Sequence, residues 1–361
     1  MANLDPHLAR SDGLSPALLG LAVCIAGGAL ADALQLPLPW MIGPLLAMAC
    51  CRFSGIRADA PAFARSVGQV IIGTALGLYF TPTVSRQVLA YAPVMLGAGI
   101  FAMGVGFLSS LVLARGAGID RRTAFFASVP GGAAEMSVLA ERYGARLDEV
   151  AVGQSLRLAV VVIVFPWIFQ YAGLTGADPY EQAQKLFDPM GITAMLAAGA
   201  AGGLLLRYLR VPNGFTIGAL SVSVGFTVAG ASWSSMPSTL SNVGQLLIGC
   251  ALGSRFERDF LHRAPRFLAA LFTSIVAAML ISVALGLTLA WAMGTAWPTM
   301  VLATAPGGIA EMAITAKVLR LGVPIVTAFH VTRMVVLVTL TAPAYRLALR
   351  LARRTPKGGK S

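Results

Sequence analysis

Displaced against itself by 176 residues, the sequence repeats. Val67 to Gly77 reads VGQVIIGTALG and Val243 to Gly253 reads VGQLLIGCALG, identical at 8 of 11 positions. In the same frame Pro130-Gly131-Gly132 falls on Pro306-Gly307-Gly308, Glu135 on Glu311, Arg157 on Arg333 and Gln154 on His330. With one residue of slippage, PLPWMIGPLL from Pro37 matches PNGFTIGALS from Pro212. Solenoid periods are about 20–50 residues, so this is a domain-sized duplication of the kind many transporters carry. The halves are 14–173 and 190–348. Residues 1–13 precede them, a polar linker at 174–189 joins them, and a basic tail at 349–361 follows.

The medium for these halves follows from composition. Of 361 residues, 57% are hydrophobic and 12% charged, against about 25% charged in soluble domains. Each half holds six apolar segments, in the first at about 14–34, 38–53, 66–81, 88–114, 123–141 and 149–172. A bilayer core asks for about 20 apolar residues per helix, and a soluble core has no room for ten such helices. The expected fold is therefore an all-α polytopic membrane protein. The opening stretch resembles a secretory leader. Its counterpart MLAAGAAGGLLLRYLRVP lies mid-chain, however, so it reads as a first transmembrane helix.

The net charge of +12 does not point to nucleic acid. The basic residues sit in short groups between apolar segments, and no DNA- or RNA-binding signature accompanies them. They act instead as topology signals. If the fifth segment of each half enters and returns on one side, the chain crosses ten times and the halves are inverted. The cytoplasmic side then receives 21 of 27 Lys and Arg, the outside four, and Arg157 and Arg333 stay in the membrane. If all twelve segments cross, the split is 14 to 11. The first arrangement is preferred: about ten transmembrane helices, two re-entrant or broken Pro-Gly-Gly hairpins, inverted repeats, and both termini cytoplasmic.

The polar residues inside these segments are the candidate site. Proline removes a backbone donor and glycine weakens a helix, so the fifth segments break at Pro130-Gly131-Gly132 and Pro306-Gly307-Gly308. The helix restarts with Glu135 or Glu311 in its first turn, where free N–H groups and a positive dipole end favour anions. Two readings stand for these glutamates. Each caps its own helix, or, since an ionised group at mid-membrane costs on the order of 3 kcal/mol, it couples a proton or cation along an aqueous path. Arg157 and Arg333 lie about two turns into apolar sixth helices. They either reach an interface or a glutamate, or bind an anionic substrate bidentately. One turn earlier come Gln154 and His330, and Gln69 and Gln245 are candidates to face a cavity. The glycines around them allow close helix contact.

The doubled PGG-x-AEM and VGQ-x-x-IG-x-ALG segments, with PWMIGPLLA near the start, resemble the AbrB-duplication family over about 14–350. Its members are bacterial and are labelled transcriptional regulators or ammonia monooxygenases. The resemblance implies a multi-pass protein of the bacterial inner membrane and hands over no substrate. Neither label finds a motif here. No C-x-x-C occurs among four cysteines and only three histidines are present, so no metal, no cofactor and no enzymatic activity are expected. No G-x-x-x-x-G-K-[ST] motif is present to power a pump.

The leading expectation is a secondary transporter working by alternating access on a small, anionic metabolite, coupled to H⁺ or Na⁺. The alternative is a membrane-embedded ligand sensor, a regulator of gene expression without transport. Expected partners are the lipid bilayer and a small-molecule or ion substrate, with no nucleic acid. Assembly into homo-oligomers is left open. Topology is directly testable: a reporter active only outside the cytoplasm, fused near Asp178, should be active, and a cytoplasmic reading would refute the inverted arrangement.

Overall fold

The computed structural model describes residues 14–131, 133–174, 176, 186–231, 233–256 and 265–354. Among these residues all regular structure is helical. The first half contains α1 (Leu14–Ala33), α2 (Pro39–Phe53), α3 (Ala64–Gly77), α4 (Pro82–Ala90), α5 (Ala92–Ala117), α6 (Arg121–Ser128), α7 (Ala133–Arg142) and α8 (Leu147–Tyr171). The second contains α9 (Pro189–Tyr208), α10 (Gly214–Val228), α11 (Ser238–Gly253), α12 (Pro265–Met293), α13 (Trp297–Thr304), α14 (Ile309–Leu319) and α15 (Val323–Arg354). The starts of α6, α7 and α8 precede those of α13, α14 and α15 by 176 residues each.

Six helices (α1, α5, α8, α9, α12 and α15) are long and apolar enough to cross a bilayer, or seven spans if α3 and α4 count as one bent by 95°. Fewer helices pass that test than the ten crossings expected from the sequence. The reason is length. Helices α2 and α10 have 15 residues each, about 22 Å at 1.5 Å per residue, against a hydrocarbon core of about 30 Å. The long helices also differ from one another. In α8 and α15, 61% of the spanning window is buried, against 22–33% in α1, α5, α9 and α12. The former are interior helices. The latter expose Leu18, Leu30, Ile100, Leu108 and Leu280, an apolar surface suited to lipid and not to water.

The helices pack as two bundles. Helices α1, α2, α3, α9, α10 and α11 form one; α5 to α8 with α12 to α15 form the other. At the heart of the first, α3 and α11 cross antiparallel. Ala64 clusters with Cys250 at one end, and Leu78 packs near Leu240 at the other. Glycine makes the crossing possible. A Cβ on Gly68 would lie 2.8 Å from the carbonyl oxygen of Gly244, its partner in the 176-residue frame. A Cβ on Gly73 would lie 2.6 Å from the carbonyl oxygen of Thr216 on α10, and one on Gly253 2.6 Å from that of Leu45 on α2.

In the second bundle each Pro-Gly-Gly segment divides two short helices, α6 from α7 and α13 from α14. The first pair is a hairpin. Arg122 at the start of α6 donates to the carbonyl of Tyr143 just past α7 at 3.4 Å, and the N–H of Arg146 donates to the Thr123 hydroxyl at 3.0 Å. Asp120 caps α6, accepting from the N–H groups of Arg122 and Thr123. Partial burial pushes its carboxyl pKa up. The hydrogen bonds from Thr123 and Arg122, with Arg146 beside it, outweigh that and hold it below the ordinary 3.8. In the second pair, Gly322 beyond α14 lies against Thr299 in the first turn of α13. Both pairs therefore begin and end on the same side.

A test of the crossing follows. Gly68→Ala should destabilise the protein by about 1–3 kcal/mol, the usual cost of overpacking, read as a lower thermal midpoint in detergent. Gly104→Ala on α5, where nothing lies within 4 Å of the new Cβ, should leave the midpoint nearly unchanged.

Candidate functional site

A helix broken inside a membrane leaves carbonyls without partners, and each such group is costly where no water can reach it. The structure satisfies them with the two intramembrane arginines. Arg157 on α8 donates through Nη1 to the carbonyl of Val129 at 3.3 Å and through Nη2 to that of Gly131 at 3.4 Å. Arg333 on α15 donates through Nη1 to the carbonyl of Ala305 and through Nη2 to that of Gly307. The acceptors correspond in the 176-residue frame. One turn earlier, Gln154 Nε2 donates to the carbonyls of Phe126 and Val129 at 2.8 and 2.9 Å. His330 Nε2 lies 3.0 Å from the carbonyl of Leu302, the match of Phe126. All four side chains are buried.

The described residues show neither arginine at an interface or paired with Glu311, and pairing with Glu135 falls outside them. No described carboxylate lies within 4.0 Å of either guanidinium. The arginines hold the hairpin tips. A planar guanidinium with parallel N–H groups suits this task, because it bridges two carbonyls two residues apart.

The tips converge on a cavity of about 810 Å³, its mouth included, between the two bundles. Pro130, Gly131, Gly307, Gly308 and Glu311 reach it from the hairpins, Arg157, His330 and Arg333 from the interior helices, and Gln69 from α3. Pro306 lies on the other side, lining a smaller space of about 300 Å³ that Pro130, Arg157 and Arg333 also border. Gln154 is spent on backbone carbonyls. Gln245 lies outside the cavity, its Nε2 3.4 Å from Asn242 Oδ1. That asymmetry follows from the antiparallel crossing: the cavity sits at the start of α3 and the end of α11, and Gln245 lies in the other half of α11. Gly132 and the side chain of Glu135 lie outside the described residues.

Glu311 is the third residue of α14, whose N-cap, Gly308, offers no side chain. Its carboxylate folds back so closely over Gly308 that any Cβ there would collide with Oε2. This is the posture of a residue capping its own helix. The side chain remains partly exposed to the cavity.

Four polar cavity residues were not among the sequence candidates: Arg65, Asn213, Thr216 and Arg255. Arg65 and Arg255 flank the VGQ-to-ALG motifs and were counted only as topology signals. Asn213 begins α10 in the left-handed conformation at φ 49°, matched by Leu38 at φ 50° before α2. A short polar side chain adopts that conformation at less cost than a leucine does, so Asn213 carries a local signal within PNG. Its Oδ1 accepts from Gln69 Nε2 at 3.4 Å. Among the described residues no group of three or more His, Cys, Asp or Glu could hold a metal ion.

Residues 40–349 match the family described as Transition state regulatory protein AbrB. The chain belongs to this family. It is 28% identical to the protein of uncharacterised function YhjN of Bacillus subtilis (strain 168), over 94% of each chain. It is 26% identical to a candidate regulator named AbrB of Escherichia coli (strain K12), over 86% of this chain and 90% of the relative.

The arginine bridges can be tested without any ligand. Replacing Arg157 by Met should strip the Gly131 carbonyl of its partner and leave the Val129 carbonyl to Gln154 alone, costing about 1–3 kcal/mol for the orphaned group, with a matching fall in thermal midpoint. Arg157→Lys keeps the charge but cannot span both carbonyls and should recover less than half of the loss. Full recovery by lysine would show that charge, not the fork, is what matters.

Proposed function

We propose that the protein is a secondary transporter of the bacterial inner membrane, with two inverted repeats, both termini cytoplasmic, and alternating access to the cavity between its bundles. One observation carries the reading. Two broken-helix hairpins, held by arginines at repeat-matched positions, converge on a single polar cavity in an otherwise apolar molecule. Broken helices at the interface of repeats are the usual place for a transported substrate.

The chemistry of the cavity favours a small anion. Arg65, Arg157, Arg255 and Arg333 face Glu311 as the one described carboxylate, and the start of α14 adds a positive dipole end. The N–H groups that Arg157 and Arg333 do not spend on carbonyls are available to a carboxylate. Glu311 is the described candidate for coupling to H⁺ or Na⁺, and it also caps α14. Four positive groups in a narrow space also raise the local concentration of an anion through the field they sum to.

A second reading keeps the binding and drops the flux: a membrane-embedded sensor that regulates gene expression. It is favoured by the family description and by the relative named as a regulator. Purified protein screened by thermal shift against pyruvate, succinate, malate, citrate, phosphate and chloride should respond to one or more carboxylates. The hit should then enter proteoliposomes under an imposed H⁺ or Na⁺ gradient, and Glu311→Gln should abolish the gradient dependence. Saturable binding with no flux under either gradient would establish the sensor. Unchanged coupling in Glu311→Gln would leave that residue as a cap.

A further inference from the structure

The 176-residue frame pairs two contacts, and only one of them is made. At the end of the α3–α11 crossing away from the cavity, Lys317 in the last turn of α14 donates through Nζ to Ser241 Oγ at 2.8 Å. Ser241, at the start of α11, is buried, and Lys317 is largely covered. Helix α14 also packs on α3. At the end of α14, the N–H of Gly176 donates to the carbonyl of Leu319 at 3.0 Å. Neither Lys317 nor Ser241 lines the cavity.

In the same frame Lys317 corresponds to Glu141, in the last turn of α7, and Ser241 to Arg65, in the first turn of α3. That is the open end. Arg65 lines the cavity, Glu141 is exposed, and α7 packs chiefly on α6 and α8, without the hold on α3 that α14 has. The two halves therefore share one design in two states of closure. The residues at the open end are oppositely charged, as a contact that forms there requires.

We propose that Glu141 and Arg65 form an ion pair that closes the open end of the cavity in a second conformation, one in which Lys317 has released Ser241. This rests on the alternating-access reading and supplies its gate. Each hairpin docks on the α3–α11 crossing in turn, so the cavity opens to one side at a time. Packed interfaces are bistable rather than continuously deformable, which suits such an exchange. A shift between the states needs only a ligand that binds one of them better.

The test uses the full-length protein in native membrane vesicles and a short bis-maleimide. Peptide mapping by mass spectrometry sets links at the introduced residues apart from the native Cys24, Cys50, Cys51 and Cys250. Ser241→Cys with Lys317→Cys should link readily and shows that the variants fold. Arg65→Cys with Glu141→Cys should link in a minor fraction, and adding Lys317→Met should raise that fraction at least about fivefold, the low end of ordinary coupling between states. If the first pair links and the second never does, with or without Lys317→Met, the exchange is wrong. If the second pair links equally in both backgrounds, the two contacts are uncoupled and the proposal also fails. Flux in proteoliposomes is read separately. Links that exchange in a protein without flux keep the gate and discard transport, whereas flux without the second link discards this gate alone.

Discussion

A backbone carbonyl with no partner in hydrocarbon is the constraint on which the arrangement depends. A helix that stops at Val129 or Ala305 inside the molecule must find donors for its last carbonyls, and water is not at hand. Arg157 and Arg333 supply them, with Gln154 and His330 one turn away. A charged side chain is costly in such a place, and that cost is what the broken hairpins require to be stable. The arginines in turn fix where the cavity lies, because their guanidinium groups hold both hairpin tips against the interior helices α8 and α15. Only helices buried on most sides could carry such residues, which is why α8 and α15 are the two most covered of the long helices.

The second constraint is closeness. Hydrocarbon gives no hydrophobic drive for one helix to seek another, so helices in lipid associate through packing. The crossing of α3 and α11 at Gly68 and Gly244 brings the two backbones into contact. That contact places the start of α3 beside the end of α11, and with them Arg65 beside Arg255. Gln69 and Asn213 then meet on the same wall. The polar wall of the cavity is thus a consequence of glycines that face away from it.

Much of this was legible in the residues. Segment limits read from apolar runs fall within a few residues of α1, α2, α5 and α8, because length and hydrophobicity decide them directly. The break at Pro130-Gly131 was legible because proline and glycine act on the backbone itself, and counting positive charges favoured a hairpin before any contact between Arg122 and Tyr143 was known. What could not be read depends on distance across the fold. Helix α4 is short and weakly apolar, so nothing set it apart from the long segment that follows. As residues the arginines read as anion ligands, snorkelling groups or partners of a glutamate, because a sequence shows a charge but not the carbonyls it meets. Arg65 and Arg255 looked like topology markers, and only the antiparallel crossing turns them toward a common space.

One departure from the repeat, at the hairpins, is instructive. Gln154 and His330 occupy matched positions, and of the two only histidine can exchange a proton near neutral pH. In the structure both bind the matched carbonyl, that of Phe126 or Leu302. For His330 Nε2 to donate, the ring must carry its proton there, which leaves Nδ1 as an acceptor in the neutral form. Gln154 spans two carbonyls where His330 meets one, so the ring does less for its hairpin than the amide does. The pattern at these positions therefore selects a hydrogen-bond donor of fixed reach, and a neutral imidazole meets the matched carbonyl as an amide does. A histidine held in this way positions a hairpin.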